Sequence, residues 1–170
     1  AVTATTASPG SVGCVRISYA KSVSDRTYPW VFAYGRGRQT TVSVNHTVTL
    51  PSGVTATDIV LLAFHYSGLG APTVTPPAGW TSFGSSLGVE VNGDYFYRTG
   101  PGGGTFVTSS SELSSHLIVV VRGGSGTPAA AVAASAGSTI DGPNLNPGSV
   151  VKRLWLTFGG IRALGTYIVT

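Results

Sequence analysis

Apolar and polar residues alternate along most of the chain in short runs, which is the pattern of β-strands that bury one face. The run TTVSVNHTVTL (40–50) places valine, histidine and leucine on one side and mainly hydroxyl residues on the other. In DYFYRTG, the same alternation sets Tyr95 and Tyr97 opposite Phe96. The run HLIVVVRG (116–123) is apolar almost throughout, which indicates a central strand covered on both faces.

Glycine, proline, asparagine and serine separate these runs about every eight to twelve residues, as in antiparallel β-sandwiches and barrels. Helical patterning is almost absent, and the helix-like composition of TPAAAVAASAG (127–137) comes without an amphipathic stripe. We therefore predict an all-β fold with little or no helix, an antiparallel β-sandwich that is jelly-roll-like. The predicted strands lie near residues 12–19, 29–34, 40–50, 58–67, 72–75, 80–85, 89–98, 104–109, 115–122, 139–141, 150–159 and 165–170.

A stiff corner interrupts the strands at TVTPPAGWT (73–81). The two prolines end a strand because they donate no ladder hydrogen bond, and the glycine after them can adopt a positive φ. We predict that Trp80 closes one end of the sandwich core. The alternative is an exposed Trp80 that stacks on a sugar, with Tyr95 and Tyr97 as further stacking residues, as in a carbohydrate-binding module.

The composition is unusually poor in charge. Charged residues make up 9% of the 170 residues, against about 25% in a typical soluble domain. A chain of this length with 42% hydrophobic residues forms one domain with a full core. Low charge suits surfaces that are buried by repeated subunit contact, because few ionised groups need to be desolvated on assembly.

Much of the positive charge lies early in the chain, whose net charge is +4. Such a segment can consist of solvated loop residues, dock to a neighbouring subunit or contact nucleic acid. No recognised nucleic-acid motif accompanies the arginines, so we expect no nucleic-acid partner. Arginine and aromatic residues are enriched in the cores of protein interfaces. We therefore predict a docking segment over residues 1–46, with contacts from Arg16, Arg26, Tyr28, Trp30, Tyr34, Arg36 and Arg38.

The supply of catalytic side chains is small, with three histidines and six acidic residues. His46 and His65 lie in strand patterns, where we expect each to be a hydrogen-bonded residue of the pleat. His116 follows the hydroxyl-rich loop SSSELSS, whose serines could form a Ser–His–Asp arrangement with it. No nucleophile elbow or oxyanion-hole motif accompanies it, so we expect no catalytic role.

Two carboxylates, Glu90 and Asp94, stand four residues apart and could pair across a cleft. The VNG between them is typical of a turn, so solvated turn charges are expected, with weak calcium binding together with Asn92 as the alternative. Cys14 is the only cysteine, which excludes an intrachain disulfide and a cysteine-based zinc site. The longest apolar run, IVLLAF, is far shorter than the roughly 20 residues that span a bilayer. We predict no catalytic residue, metal, cofactor or membrane span, and no enzyme activity.

Four segments together resemble a family of tailed-bacteriophage structural proteins: TLPSGVTATDIVLLAFHY, TVTPPAGWTSFG, YFYRTG and LIVVVRGG. Members of this family are described as minor tail, tail-fibre-like or head-appendage proteins with β-sandwich folds. The match covers about residues 47 to 170, and the resemblance implies no catalytic residue. The resemblance implies a virion part that assembles with other virion proteins, forms a homo-oligomer in the particle and adheres to a host-surface glycan.

From the resemblance we expect a minor tail or tail-tip protein, assembled in the bacterial cytoplasm and located in the virion. A capsid decoration or head-fibre protein is the alternative. The predicted organisation is a docking segment with the first strands over 1–46 and a β-sandwich domain over 47–170. The run at 58–75 resembles that at 152–170. The second copy stops where the first continues into PPAGW, so we expect the natural chain to continue.

Overall fold

The computed structural model describes residues 29–68, 71–87 and 91–128, together with Leu154 and Leu156. Strands make up 66% of these residues and none of them is helical, which confirms the all-β prediction. The six strands are β1 (Trp30–Val48), β2 (Ile59–Ser67), β3 (Val74–Thr75), β4 (Thr81–Ser86), β5 (Val91–Thr99) and β6 (Gly104–Arg122).

Several sequence predictions fall elsewhere in the chain. The predicted strands 12–19, 139–141 and 165–170 lie outside the described residues, as does Cys14. Of the predicted strand 150–159, only Leu154 and Leu156 are described, and neither lies in a strand.

The strands form one antiparallel sheet in the order β1-β6-β2-β5-β4, and β3 pairs with β6 beside this path. The predicted central strand is β6, which lies between β1 and β2. Its residues Leu117 to Val121 are all buried. Ile118 and Val120 belong to the core on one face of the sheet, and their neighbours belong to the core on the other. The continuous apolar run is therefore explained by burial on both faces.

The two longest strands bend at their middles. The first half of β1 pairs with the last half of β6, from Trp30 opposite Arg122 to Gln39 opposite Ser114. Register shifts follow before Asn45, after which the remaining residues of β1 pair with the first residues of β6. Irregularities of this kind bend strands and increase their twist. The far halves of both strands therefore leave the plane of the main sheet.

The bend carries Phe106 of β6 over the face formed by β2 and β5. Its ring centroid lies 5.7 Å from that of Phe64 and 5.2 Å from that of Phe96. All three rings are buried in one core cluster, and Trp80 joins them 5.4 Å from Phe106. Aromatic pairs at such distances add about 0.5–1.5 kcal/mol each to the effect of burial. A sandwich-like core thus forms inside one bent sheet.

The opposite face of the sheet has its own apolar cluster. Its buried members come from the middle of β2 and the last residues of β6, and Tyr95 and Tyr97 of β5 pack at its side. Leu154 and Leu156 pack against the same cluster. Phe96 lies on the other face of β5, so the predicted opposition of the two tyrosines and this phenylalanine is confirmed.

The sequence prediction of a break between residues 34 and 40 is wrong, because β1 runs through it. The two glycines there point toward the inside of the bent sheet. A Cβ on Gly35 would lie 3.3 Å from Pro51, and a Cβ on Gly37 would overlap the His116 ring. Glycine is needed here for close packing and does not signal a turn.

The serine-rich stretch before His116 was expected to be a loop and is also part of a strand. Predicted strands 104–109 and 115–122 are the two ends of β6. In the same way, the predicted strand 40–50 does not present one continuous apolar face. His46 and Val48 are buried, whereas Val42 is 60% exposed, because the register shifts between them.

The strand β1 also crosses the predicted boundary between residues 46 and 47. Residues 30–46 therefore share the sheet with the following chain, while the docking role of the N-terminal part stays a prediction. The jelly-roll topology also stays a prediction, since eight strands in two sheets would require residues beyond those described. None of the described residues forms a helix long and apolar enough to cross a membrane.

We expect Gly37→Ala to lower the free energy of unfolding by about 1–3 kcal/mol, because the added methyl group must displace a buried ring. Gly35→Ala is the matched control on the same strand face, where the space is tighter than usual but not closed. Urea unfolding of both variants measures the difference. Equal and negligible losses would contradict the close approach of His116 to β1.

Candidate functional site

Three predicted docking residues form a row on β1, here called the basic edge row: Tyr34, Arg36 and Arg38. They alternate along the strand, so their side chains share a face. All three are exposed, Tyr34 by 61% of its surface. Their partners across the ladder, Val119, Leu117 and Ser115, lie on β6. The row therefore follows the outer strand of the sheet.

Among the charged residues that the structure describes, Arg36 and Arg38 of the basic edge row are the exposed ones. Neither Arg36 nor Arg38 forms an ion pair or a side-chain hydrogen bond within that part of the chain. The carboxylates described in the structure, those of Asp58, Asp94 and Glu112, are buried or half-buried. A partner approaching this side of β1 thus meets two unpaired guanidinium groups and a tyrosine ring.

The other docking candidates are not part of this row. Trp30 is half-buried and meets Phe32 edge to face, with ring centroids 5.8 Å apart. Arg16, Arg26 and Tyr28 lie outside the described residues. The structure therefore brings together three of the seven side chains that the sequence nominated.

The corner motif puts Trp80 in the core, as the sequence analysis expected. The backbone turns at Gly79, with φ of 86°, and the Trp80 amide donates to Pro77 O at 3.3 Å. The indole is 7% exposed, and the guanidinium of Arg98 lies 5.6 Å from its ring centroid. The indole is therefore enclosed by the core and by this arginine.

Tyr95 and Tyr97 lie on the other face of the sheet, half-buried around Phe83. Their ring centroids are 6.4 and 5.9 Å from that of Phe83. The three nominated stacking residues therefore do not share a surface, because Trp80 belongs to the opposite core cluster.

An ion pair between the buried Asp58, just before β2, and the partly exposed Arg122 joins β2 to the end of β6. Arg122 donates from Nε to Asp58 Oδ1 at 2.8 Å and from Nη2 to Oδ2 at 2.7 Å. The same arginine donates to Gly53 O, and its guanidinium lies 3.6 Å from the Phe32 centroid. The hydrogen bonds from Arg122 hold the pKa of Asp58 well below its usual range, although burial opposes this lowering. No local sequence pattern reveals this pair, because its members are 64 residues apart.

A buried histidine network lies at the bend. Thr108 Oγ1 donates to Ser110 O at 2.7 Å, so it accepts a hydrogen bond from His46 Nε2, 3.0 Å away. The proton of the neutral ring is then on Nε2, and Nδ1 accepts from Ser114 Oγ at 2.8 Å. Burial lowers the pKa of His46, and the charge of Glu112 opposes this only in part.

The geometry of this network is that of a structural link between strands. Ser114 and His46 make the hydrogen bond of a nucleophile and its base, but both are buried. The far nitrogen of His46 meets a threonine hydroxyl where a catalytic triad has a carboxylate. The nominated His116 makes no part of this pair and packs against Gly37 instead.

The acidic residues of the described chain serve similar links. Glu112 accepts hydrogen bonds from Ser67 at 2.9 Å and Ser110 at 2.7 Å, which joins β2 to the bend of β6. Asp94 Oδ2 lies 2.9 Å from the Tyr66 hydroxyl, and burial raises the pKa of Asp94. Glu90 lies outside the described residues. Within those residues no group of three acidic, histidine or cysteine side chains is placed to hold a metal ion.

The chain was compared with protein-family models, with curated proteins and with solved structures, and none of them matches. Its function is therefore inferred from its own residues and their geometry.

We expect Asp58→Asn to lower the melting temperature at neutral pH by about 5 °C or more, because Arg122 loses its charged partner. The pKa of Asp58 is lowered in the folded state. Its contribution to stability is therefore complete above the unfolded pKa of about 4 and is lost as the pH falls below that value. Thermal unfolding of the wild type and the variant from neutral to strongly acidic pH should show that the difference between their melting temperatures shrinks.

Asp94→Asn is the control for this experiment, because burial raises the pKa of Asp94. The difference in melting temperature between wild type and Asp94→Asn should not shrink on acidification in the same way. A difference for Asp58→Asn that stays constant with pH would contradict the ion pair.

We also expect the three histidines to make the fold acid-sensitive. Burial lowers the pKa of His46 and His116, and that of His65 to about 4. The unfolded chain, with histidine pKa values near 6.5, then binds more protons, so stability falls as the pH drops below about 6.5. His65→Leu should reduce the loss of stability between pH 7 and pH 4 by up to about 3 kcal/mol. Urea unfolding at both pH values measures it, and equal pH dependence in both proteins would refute it.

Proposed function

We propose that the chain is a non-enzymatic structural protein of a tailed-phage virion, a minor tail or tail-tip component. It attaches to other virion proteins through its basic edge row and assembles in the bacterial cytoplasm. The observation that carries the docking role is the exposed row of Tyr34, Arg36 and Arg38, whose arginines have no partner among the described residues.

The residues behind the phage resemblance support the proposal because they contact one another in pairs. Asp58 of the TATD segment binds Arg122 of the VVVRG segment. Trp80 of the PPAGW corner lies against Arg98 of the YFYRTG segment. Two specific contacts thus join these four segments in pairs. The residues that carry the resemblance thus stabilise the fold, as expected for a structural protein.

The polar side chains also support a mechanical role. At the bend, the buried side chains of the network form hydrogen bonds with one another or with neighbouring strands: His46, Thr108, Glu112 and Ser114. Exposed positions on the bent halves of β1 and β6 are largely threonine, serine and valine. Such a surface can be covered by another subunit without desolvating ionised groups.

A capsid decoration or head-fibre role is the alternative placement within the same class. The two placements differ in copy number, because decoration proteins cover the capsid and tail-tip proteins occur in few copies. Quantifying a tagged chain in intact particles distinguishes them.

We expect the double variant Arg36→Glu with Arg38→Glu to enter particles at least about tenfold less than wild type, because the docking charges are reversed. The purified variant should keep its β-sheet circular dichroism, since both side chains are exposed. Ser82→Glu is the control, because Ser82 is an exposed position on β4, at the opposite end of the strand order from β1. Wild-type incorporation of the double variant, measured by immunoblot of purified particles, would refute docking through this row.

A further inference from the structure

We propose that β1 binds an extended acidic segment of a partner protein, which adds to the sheet as a further strand beside the basic edge row. This inference names the partner class of the docking role proposed above and rests on it. The partner segment carries carboxylates at alternate positions, so that they reach Arg36 and Arg38 from the same face.

The backbone of β1 offers the first element of such a site. Among the described strands β1 pairs with β6 alone, so it forms one edge of the sheet. The outward N–H and C=O groups of an edge strand are a template for another strand, and many peptide-binding proteins use them in this way. The segment Tyr34–Arg38 lies within the first, regularly paired half of β1.

The side chains supply the second element. Alternate residues on one face of a strand are about 7 Å apart, and an added strand lies about 4.8 Å away. Residues directly opposite each other then have Cβ atoms about 5 Å apart, within reach of an arginine and a carboxylate. Two carboxylates at positions i and i+2 of the partner can thus pair with both guanidinium groups. Opposite charges in this arrangement select register as well as partner.

The inner face of β1 makes the edge rigid before a partner arrives. Gly35 and Gly37 present no side chain, so Pro51 and the buried His116 ring lie directly against the strand. A strand that is already held in place loses little conformational freedom on binding. Most of the conformational entropy lost on binding is therefore that of the partner segment.

Charge argues against a second copy of this chain as the occupant. Pairing two β1 edges around the row would bring arginines toward arginines, and like charges opposite each other destabilise a sheet. The carboxylates that the structure describes are those of Asp58, Asp94 and Glu112. All three are buried or half-buried, so none is displayed to neutralise the row.

The edge also favours a polypeptide over nucleic acid. A phosphate backbone would use the two guanidinium groups but leave the outward peptide groups of β1 without partners. An extended peptide uses both sets of groups at once.

The test uses the full chain and a short acetylated peptide of threonine and valine with two glutamates at positions i and i+2. The control peptide has the same composition with the glutamates adjacent, which puts them on opposite faces. We expect the control to bind at least about tenfold more weakly, and binding to weaken as salt is raised. Arg36→Glu with Arg38→Glu should abolish binding, whereas Arg36→Lys with Arg38→Lys should retain part of it. Hydrogen exchange of amides in residues 31–39 should slow only with the alternating peptide.

Each of the following outcomes would overturn the inference. Equal binding of both peptides means charge attraction without strand addition, and so does binding without slowed exchange in β1. Tighter, row-dependent binding of single-stranded DNA means a nucleic-acid site. Self-association of the wild type that the double glutamate variant abolishes means that a second copy occupies the edge. If the peptide fails to bind while the variant is still excluded from particles, the docking role stands and only the acidic strand is wrong.

Discussion

The burial of Phe106 beneath the face of β2 and β5 is the contact on which the rest of the structure depends. A six-stranded sheet with one face open to water would leave Phe64 and Phe96 exposed. The far half of β6 instead folds back and inserts Phe106 between them, at ring distances of 5.7 and 5.2 Å. A single bent sheet thereby supplies both layers of its own core.

The bend creates polar groups that must be satisfied, and the histidine network does this. Ladder hydrogen bonds are interrupted where the register of β1 and β6 shifts, and unpaired buried polar groups are costly. His46 joins Thr108 to Ser114 across the shift, while Glu112 ties the same region to Ser67 of β2. The histidine, hydroxyl and carboxylate side chains of this network therefore hold neighbouring strands together at the bend.

How far the sequence predicted this arrangement depended on the range of the interactions involved. Local sequence pattern was sufficient for three strands: alternation for β5, and continuous apolar runs for β2 and the doubly buried end of β6. It failed at Gly37, because the reason for that glycine is a contact with His116, far along the chain. Residues of the basic edge row were nominated from their chemistry alone. Their alignment on one face could not be foreseen, because it requires β1 to continue through the glycines.

The most direct test of this account is a nuclear Overhauser measurement on isotope-labelled protein in solution. The account predicts strong contacts from the Phe106 ring protons to those of Phe64, Trp80 and Phe96, together with slow amide exchange on both sides of the bend. An absence of these ring contacts, with rapid exchange across residues 104–112, would contradict the bent sheet and the interpretation built on it.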